Sequence, residues 1–217
     1  MIITLDGQSG TGKSTLATLI AQKLGFKCLN TGMIYRALTH YLYSNGILPE
    51  SIEERGHCLN DIDIEILFKD NNQFVIINKL DCTPYVSSPE VQKYVSVYSQ
   101  ILELREKVTR IQRAFALEND IVIEGRDIGT HVFPNADYKF FITCDIRVRA
   151  QRRLEDLKQS GQNITLEQVI QSLKTRDMLD STRVFSPLKR ADDAIDIDTS
   201  NSTIEQSVEQ ILSYIGN

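Results

Sequence analysis

The stretch Gly7-Gln8-Ser9-Gly10-Thr11-Gly12-Lys13-Ser14 carries the complete pattern G-x-x-x-x-G-K-[ST] of a phosphate-binding loop. Residues 1–5 predict a buried strand before it, and residues 14–24 predict a helix that stops at Gly25. In that setting the glycines let backbone N–H groups surround phosphate oxygens, and the helix directs its positive end at them. The alternative, a glycine-rich turn that binds nothing, is disfavoured by the flanking strand and helix.

The loop therefore predicts a nucleoside triphosphate site. In this pattern Lys13 reaches the β- and γ-phosphates, and the Ser14 hydroxyl is placed to coordinate Mg²⁺. The residues predicted to line the site are Gly7, Gln8, Ser9, Gly10, Thr11, Gly12, Lys13, Ser14 and Thr15.

Length and composition place the chain among soluble globular proteins. Its 217 residues suffice for one domain with insertions or for two small ones, and its 41% hydrophobic and 24% charged content is ordinary. The apolar runs are too short to span a bilayer and the N-terminus has no signal-peptide layout, so we expect a cytoplasmic protein without membrane contact. A net charge of −5 disfavours general nucleic-acid binding.

The cysteines and histidines are scattered, without C-x-x-C pairs or ligand spacing. This argues against zinc and against a disulfide framework, and predicts reduced thiols and structural or surface histidines. The residues concerned are Cys28, Cys58, Cys82, Cys144, His40, His57 and His131.

Short apolar runs that alternate with helical stretches predict a parallel sheet wrapped by helices. Beyond the first strand these runs are 120–124, 138–143, 194–198, whose polar alternation suits a sheet edge, and a weaker 27–30. A closing helix is predicted with a capping box at Ser202 and Glu205.

Two stretches break the alternation. Residues 65–68 and 74–77 predict a hairpin, and antiparallel strands inside this pattern imply an inserted subdomain. Residues 151 to about 189 are highly polar, with Gly161 between two helical segments. They contain too few apolar residues for a firm core, which suggests a mobile flap over the site.

Three further segments carry candidate chemistry. In residues 30–36, Thr31 is predicted to cap a helix and leave backbone N–H groups and Arg36 for a second anion. Arg126 and Asp127 follow a strand, at the edge where open α/β sheets bind ligands. Helical spacing puts Arg176, Asp180 and Arg183 on one face and Asp177 off it. From the residues alone, ordinary ion pairs remain the alternative for the last two segments.

At these segments the chain closely resembles the bacterial cytidylate kinases, which are nucleoside monophosphate kinases. The matching stretches are GQSGTGKST, NTGMIYRA, EGRDIGTHVFPNAD, RAQRR, RDMLDSTRVFSPL and DDAIDIDTS, in family order from Ile2 to Ser200. The resemblance implies an α/β fold of P-loop NTPase type, with an inserted monophosphate-binding subdomain and a helical lid. It implies one kinase domain, 1–217, with a core of 1–40, 87–150 and 190–217, an insertion of about 41–86 and a lid of about 151–189.

The resemblance also implies phosphorylation of CMP and dCMP by ATP with Mg²⁺. Thr31, Arg36, Arg126 and Arg183 look like holders of the acceptor phosphate. Ser96, Arg105 and Asp127 resemble the family's cytosine readers, and Arg176 and Asp180 its sugar and lid contacts. Catalytic roles are expected for Lys13, Arg126, Arg176 and Arg183.

Ser96 and Arg105 lie nine residues apart, on opposite faces of an ideal helix, so the segment 91–117 must bend or break if both read cytosine. The chain departs from the family pattern at Met33, Ser87 and His131. Two alternatives stay open: a kinase for another monophosphate, UMP or AMP, and a P-loop nucleotide sensor that transfers nothing. A monomer is expected because no apolar patch or heptad asks for a partner.

Overall fold

The fold is seen in a computed structural model that describes residues 1–55, 59–159, 161 and 164–215. His57 and Cys58 lie outside these residues. The chain divides into two compact units, the first made of residues 1–26 and 121–217 and the second of residues 27–120. No helix in the described part of the chain has the length and hydropathy needed to cross a membrane.

The elements follow each other in the order β1 (Ile2–Gly7), α1 (Lys13–Leu24), β2 (Lys27–Asn30), α2 (Thr31–Ser44), α3 (Pro49–Arg55), β3 (Ile64–Lys69), β4 (Asn72–Ile77), β5 (Leu80–Asp81), α4 (Pro89–Tyr98), α5 (Leu102–Leu117), β6 (Ile121–Gly125), β7 (Tyr138–Thr143), α6 (Ile146–Gln159), α7 (Leu166–Thr182), β8 (Ile195–Asp198) and α8 (Ile204–Ile215).

In the first unit, parallel strands run in the order β6-β1-β7-β8. All of β6 and nearly all of β1 are buried, as expected for strands covered on both faces. The register sets Asp6 opposite Gly125 on β6 and Phe141 on β7. The phosphate loop therefore leaves the sheet beside the end of β6. The predicted parallel α/β fold and the edge position of β8 are confirmed.

For residues 151–189 the expectation that too few apolar residues are present for a firm core is wrong. The facing sides of α6 and α7 form one apolar cluster, so the segment does have a core of its own. Its members are Ala150, Leu154, Leu157, Val169 and Leu173, with Ile146, Ile164, Leu166 and Ile170 packed against them. The overall polarity of this stretch concealed a narrow apolar stripe at helical spacing.

The capping box of α8 lies one residue later than predicted. Thr203 Oγ1 accepts the N–H of Gln206, and the Gln206 side chain accepts the N–H of Thr203. Glutamine closes the reciprocal pair as well as glutamate does, so Thr203 and Gln206 replace Ser202 and Glu205 in this role.

The second unit holds helices α2–α5 and an antiparallel sheet in the order β3-β4-β5. The predicted hairpin is present, with an additional short strand β5 that the sequence did not reveal. Its two-residue loop is Asp70-Asn71, both with positive φ (50° and 62°), as a twisted hairpin requires. Asn78-Lys79 repeats the geometry before β5, with φ of 46° and 69°.

The segment that carries Ser96 and Arg105 is interrupted, as the sequence required if both residues are to read cytosine. Helix α4 ends at Tyr98 and α5 begins at Leu102. Arg105 stabilises the break, because its Nη1 donates to the carbonyl of Ser99 at 3.0 Å and takes up a backbone acceptor left at the end of α4.

The close packing of the phosphate loop against β7 can be tested by a substitution at Gly7. Its φ is +149°, and a Cβ there would lie 2.1 Å from the carbonyl oxygen of Ile142. We expect Gly7→Ala to displace the loop or prevent folding, measured as loss of soluble yield or of a cooperative thermal transition. The matched control is Gly25→Ala, which also has a positive φ (+73°) but meets no atom within 4 Å. It should cost about 1 kcal/mol. Equal behaviour of the two variants would contradict the close approach.

Candidate active site

The phosphate loop is held in shape by its own polar groups. Gly12 precedes α1 in the left-handed region, with φ of 90°. Lys13 is buried, and its Nζ donates to the carbonyl of Gln8 at 2.5 Å and to Thr11 Oγ1 at 3.1 Å. The hydroxyl of Thr199, directly after β8, donates to the carbonyl of Thr11 at 3.0 Å. The ammonium group thus lies across the loop where the motif predicts phosphate contacts.

Ser14 is the second residue of α1 and is exposed. Its Oγ donates to Glu124 Oε1 at 2.8 Å, and Glu124 is buried near the end of β6. A hydroxyl and a carboxylate therefore lie together at the edge where the motif predicts Mg²⁺. Hydroxyl and carboxylate oxygens are suitable magnesium ligands when phosphate oxygens and water complete the shell.

Burial shifts two ionisable groups at the strand ends. Desolvation, helped by the neighbouring Arg126, lowers the pKa of Lys13 to about 7. Desolvation raises the pKa of Asp6 to about 6. Two backbone N–H donors and the charge of Lys13 act in the opposite direction but do not outweigh the burial. Perturbed groups of this kind concentrate where a protein binds charge.

The arginines of the first unit form a connected cluster with carboxylates. Arg126 Nε donates to Asp180 Oδ2 at 2.9 Å, and Arg183 Nη1 lies 3.8 Å from Asp180 Oδ1. Arg183 Nη2 lies 3.1 Å from Asp127 Oδ1. Burial would raise the pKa of Asp180, but Arg126 and Arg176 outweigh it and leave that pKa below its ordinary value. These predicted site residues are therefore brought together, and they are not surface ion pairs.

One detail of the helical-face prediction changes. Helix α7 ends at Thr182, and Arg183 has extended backbone angles (φ −61°, ψ 143°). After Thr182 the chain turns away from the helix, and Arg183 reaches the cluster from this turn. Its Nε donates to the carbonyl of Ser186 at 2.7 Å. Arg176 and Asp180 do lie on α7, one turn apart.

Asp177 and Arg149 join α7 and α6 to the phosphate loop. Arg149 Nη1 donates to Asp177 Oδ2 at 2.7 Å and to the carbonyl of Ser9 at 3.0 Å. Asp177 Oδ1 in turn accepts the N–H of Ser9 at 3.3 Å. The sequence placed Asp177 off the arginine face, which is correct, but gave no sign that its own face meets the loop. Arg149 begins the stretch RAQRR, and nothing in the sequence indicated its contacts with Asp177 and Ser9.

In the second unit, the helix cap differs from the prediction. Asn30, not Thr31, is the N-cap of α2, and its side chain accepts the N–H of Met33 at 2.9 Å. Thr31 is the buried first residue of the helix. A Cβ on Gly32 would lie 2.9 Å from Arg36 Nη1, so this glycine makes room for the guanidinium group over the first turn. Both predicted anion-holding residues therefore lie at the helix start, where backbone N–H groups favour an anion.

The two proposed base readers of the second unit are placed differently from each other. Arg105 is 2% exposed, and its guanidinium lies 5.5 Å from the ring centre of Tyr35 on α2. Ser96 is half-buried on α4, and its carbonyl accepts from the side chain of Gln100 at 2.8 Å. The contact with Tyr35 and the hydrogen bond to Ser99 fix the orientation of the Arg105 guanidinium, which suits a residue that reads a planar group.

Comparisons with known proteins show which family and which fold the chain shares. A family model described as cytidylate kinase matches residues 3–217. The chain is 43% identical to a cytidylate kinase of Clostridium botulinum (strain Loch Maree / Type A3), covering 98% of this chain and 96% of that one. It is 40% identical to a cytidylate kinase of Caldicellulosiruptor bescii, covering 97% and 93%. Among solved structures, shikimate kinase from Bacteroides thetaiotaomicron has the same fold, with 14% identity, a TM-score of 0.51 and coverage of 100% and 99%.

The lowered pKa of Lys13 makes stability depend on pH. Above pH 7 the folded state releases this proton, whereas the unfolded chain keeps it up to about pH 10.5. The destabilisation caused by burying the charge is therefore complete below pH 7 and is relieved as the pH rises. We expect the free energy of unfolding of the wild type, minus that of Lys13→Met, to rise by about 1.4 kcal/mol per pH unit above pH 7.

Urea denaturation between about pH 6 and pH 9 measures this difference. Lys23→Met, which alters an exposed lysine of the same helix, is the control. A difference that stays constant across this range would contradict the lowered pKa.

Proposed function

The chain belongs to the cytidylate kinase family, and we propose that it transfers the γ-phosphoryl group of ATP to CMP and dCMP, giving CDP or dCDP and ADP. The observation that carries the proposal is the arginine cluster beside the phosphate loop. Arg126, Arg176 and Arg183 converge with Lys13 at the carboxyl ends of β1 and β6. A protein that only sensed a nucleotide would need one phosphate cradle, not a second one with its own arginines.

Each site residue receives a proposed role from the family motifs and its position. Residues 7–15 hold the phosphates of ATP, with Lys13 on the β- and γ-phosphates. Arg126 and Arg183 hold the acceptor phosphate, and on the second unit Thr31 and Arg36 are proposed for the same group. Asp127, Ser96 and Arg105 are proposed to read cytosine. Arg176 and Asp180 are proposed as sugar and lid contacts.

Phosphoryl transfer mainly requires that the two substrates are positioned correctly and that cations stabilise the transition state. Phosphoryl transfer passes through a loose, highly charged transition state, so fixed cations lower its energy more than covalent assistance would. The acceptor is an anionic phosphate, and no general base is required. Lys13 and the arginines are held by carboxylates and carbonyls before any substrate binds, so little reorganisation is needed when charge develops. Closure of α6 and α7 would exclude water, the competing acceptor.

Mg²⁺ is proposed as the metal of the reaction. Ser14 and Glu124 would hold it, directly or through water, because their oxygens are 2.8 Å apart and of the type that magnesium prefers. When bound, the ion neutralises charge on the donor phosphates.

We further propose that the family's division applies here: a core of 1–40, 87–150 and 190–217, a monophosphate-binding insertion at about 41–86, and a lid at about 151–189. ATP and monophosphates are metabolites of the cytoplasm, where we place the activity. The protein is proposed to act on small molecules, without nucleic acid, because its net charge is −5 and no basic surface is needed for this reaction. It is proposed to act as a monomer, because the sequence contains no long apolar patch or heptad pattern that requires a partner.

A coupled assay of ADP release over CMP, dCMP, UMP, AMP and shikimate tests the acceptor. We expect CMP and dCMP to be turned over at least tenfold more efficiently than the others, since a carboxylate and an arginine suit the amino and carbonyl groups of cytosine. Preference for UMP or AMP would favour the first alternative. Absence of turnover with every acceptor, with ATP still bound, would favour a sensor.

Arg183→Ala tests the arginine cluster. We expect kcat to fall at least tenfold, because the variant loses a cation proposed for the transferring group. The variant should still unfold cooperatively, with a lowered thermal midpoint, because the buried Asp127 and Asp180 lose an ion-pair partner. Arg147→Ala, an exposed arginine on α6, is the matched control and should behave as the wild type. Turnover near normal in Arg183→Ala would remove the assigned role.

A further inference from the structure

Asp6 is a buried carboxylate that the phosphate-loop motif does not include. It lies at the end of β1, directly before Gly7, and is 4% exposed. Its Oδ1 accepts the N–H of Ile128 at 2.9 Å and its Oδ2 accepts the N–H of Gly129 at 2.7 Å. Each carboxylate oxygen is thus used by one backbone donor, an arrangement that a neutral amide side chain cannot reproduce.

These two donors begin a single π-helical turn, Ile128–Val132. In this turn Val132 N–H donates to the carbonyl of Asp127 at 3.2 Å and Phe133 N–H to that of Ile128 at 2.7 Å. The first N–H groups of a helical turn lack partners within the turn, and an anion there satisfies them. Turns of this type are rare and occur mostly at functional sites.

Asp6 also lies beside the start of the stretch between β6 and this turn. The backbone of Asp6 is in register with Gly125 at the end of β6, and its side chain holds residues 128 and 129. The stretch between these two anchors is Arg126-Asp127. Its side chains join the cluster with Asp180 and Arg183.

The space around the anchor is narrow. A Cβ on Gly129 would lie 3.1 Å from Thr4 Oγ1, 3.2 Å from Lys139 Cδ and 3.4 Å from Asp6 Oδ2. The charged groups around Asp6 are Lys13 from α1, Asp127 from the turn, and Lys139 from the same face of β7. A shift of the carboxylate by one methylene group would therefore meet packed neighbours.

We propose that Asp6 is a positioning residue for the acceptor side of the reaction: it ties the turn at Ile128 and Gly129 to the root of the phosphate loop and so sets where Arg126 and Asp127 lie. It acts through these residues, without touching substrate. The inference deepens the proposed function and rests on it for the roles of Arg126 and Asp127.

Asp6→Asn and Asp6→Glu test the proposal. The first keeps the shape but leaves only one acceptor oxygen for two donors, and the second keeps the charge but moves it. Asp137→Asn is the matched control, because the exposed Asp137 also accepts a backbone N–H of β1, from Ile2 at the opposite end of the strand, at 2.6 Å. Kinetics are measured at about pH 7, where Asp6, with a pKa of about 6, is largely ionised and Lys13, with a pKa of about 7, is still partly protonated.

For both Asp6 variants we expect kcat/KM for CMP to fall at least tenfold, while the Kd for ATP alone changes less than threefold. The control should retain wild-type values. Full activity in Asp6→Glu would show that charge rather than position matters, and would overturn the proposal. Equal losses in CMP turnover and ATP affinity would also overturn it, because they would indicate a general collapse of the loop.

Amide hydrogen exchange provides a readout that needs no substrate. The amides of Ile128 and Gly129 should lose at least tenfold protection in Asp6→Asn and stay protected in Asp137→Asn. Unchanged protection of these amides in Asp6→Asn would contradict the proposed link between Asp6 and the turn. A wild type that is inactive with CMP would instead refute the proposed function, and the exchange experiment would still decide the inference.

Discussion

The structure of the site depends on the pairing of charges that are buried at the carboxyl ends of β1 and β6. An ionised group removed from water is strongly disfavoured unless an opposite charge or hydrogen-bond donor replaces the solvent. Here Lys13 has carbonyl and hydroxyl acceptors, Asp6 has two backbone donors, and Asp180 lies between two arginines. Each charged side chain thereby has a fixed position before ligand arrives.

This pairing explains how several arginines can lie together in the proposed acceptor-phosphate site without being driven apart by their mutual repulsion. Asp180 lies within 4 Å of both Arg126 and Arg183, and Asp127 contacts Arg183 from the other side. A phosphate offers the same bidentate acceptor geometry as a carboxylate, with more charge. The carboxylates therefore hold the guanidinium groups in orientations that a phosphate can use with little rearrangement.

The sequence predicted those features that follow from local physics. Glycine spacing indicated the loop, and apolar runs indicated the parallel strands. The nine-residue separation of Ser96 and Arg105 called for a broken helix if both read cytosine; the helix is broken, and the reading of cytosine stays a prediction. Contacts between distant segments carry no such signal. Asp177 meets Ser9 across 168 positions and Asp6 meets Ile128 across 122, so neither role was visible beforehand. The cap at Asn30 was missed because Asn and Thr are both good caps and stand side by side.

Asp6 and Asp177 link the phosphate loop to the two parts of the unit that carry the arginines. Asp6 joins the root of the loop to the turn after Arg126, and Asp177 joins Ser9 within the loop to α7 and, through Arg149, to α6. In both links a carboxylate accepts a hydrogen bond from a backbone N–H group. Such hydrogen bonds are directional and short-ranged. A displacement of the loop is therefore transmitted to both sets of arginines. The two links thus hold the loop and these arginines as one preformed arrangement, in agreement with the fixed positions of the buried charges.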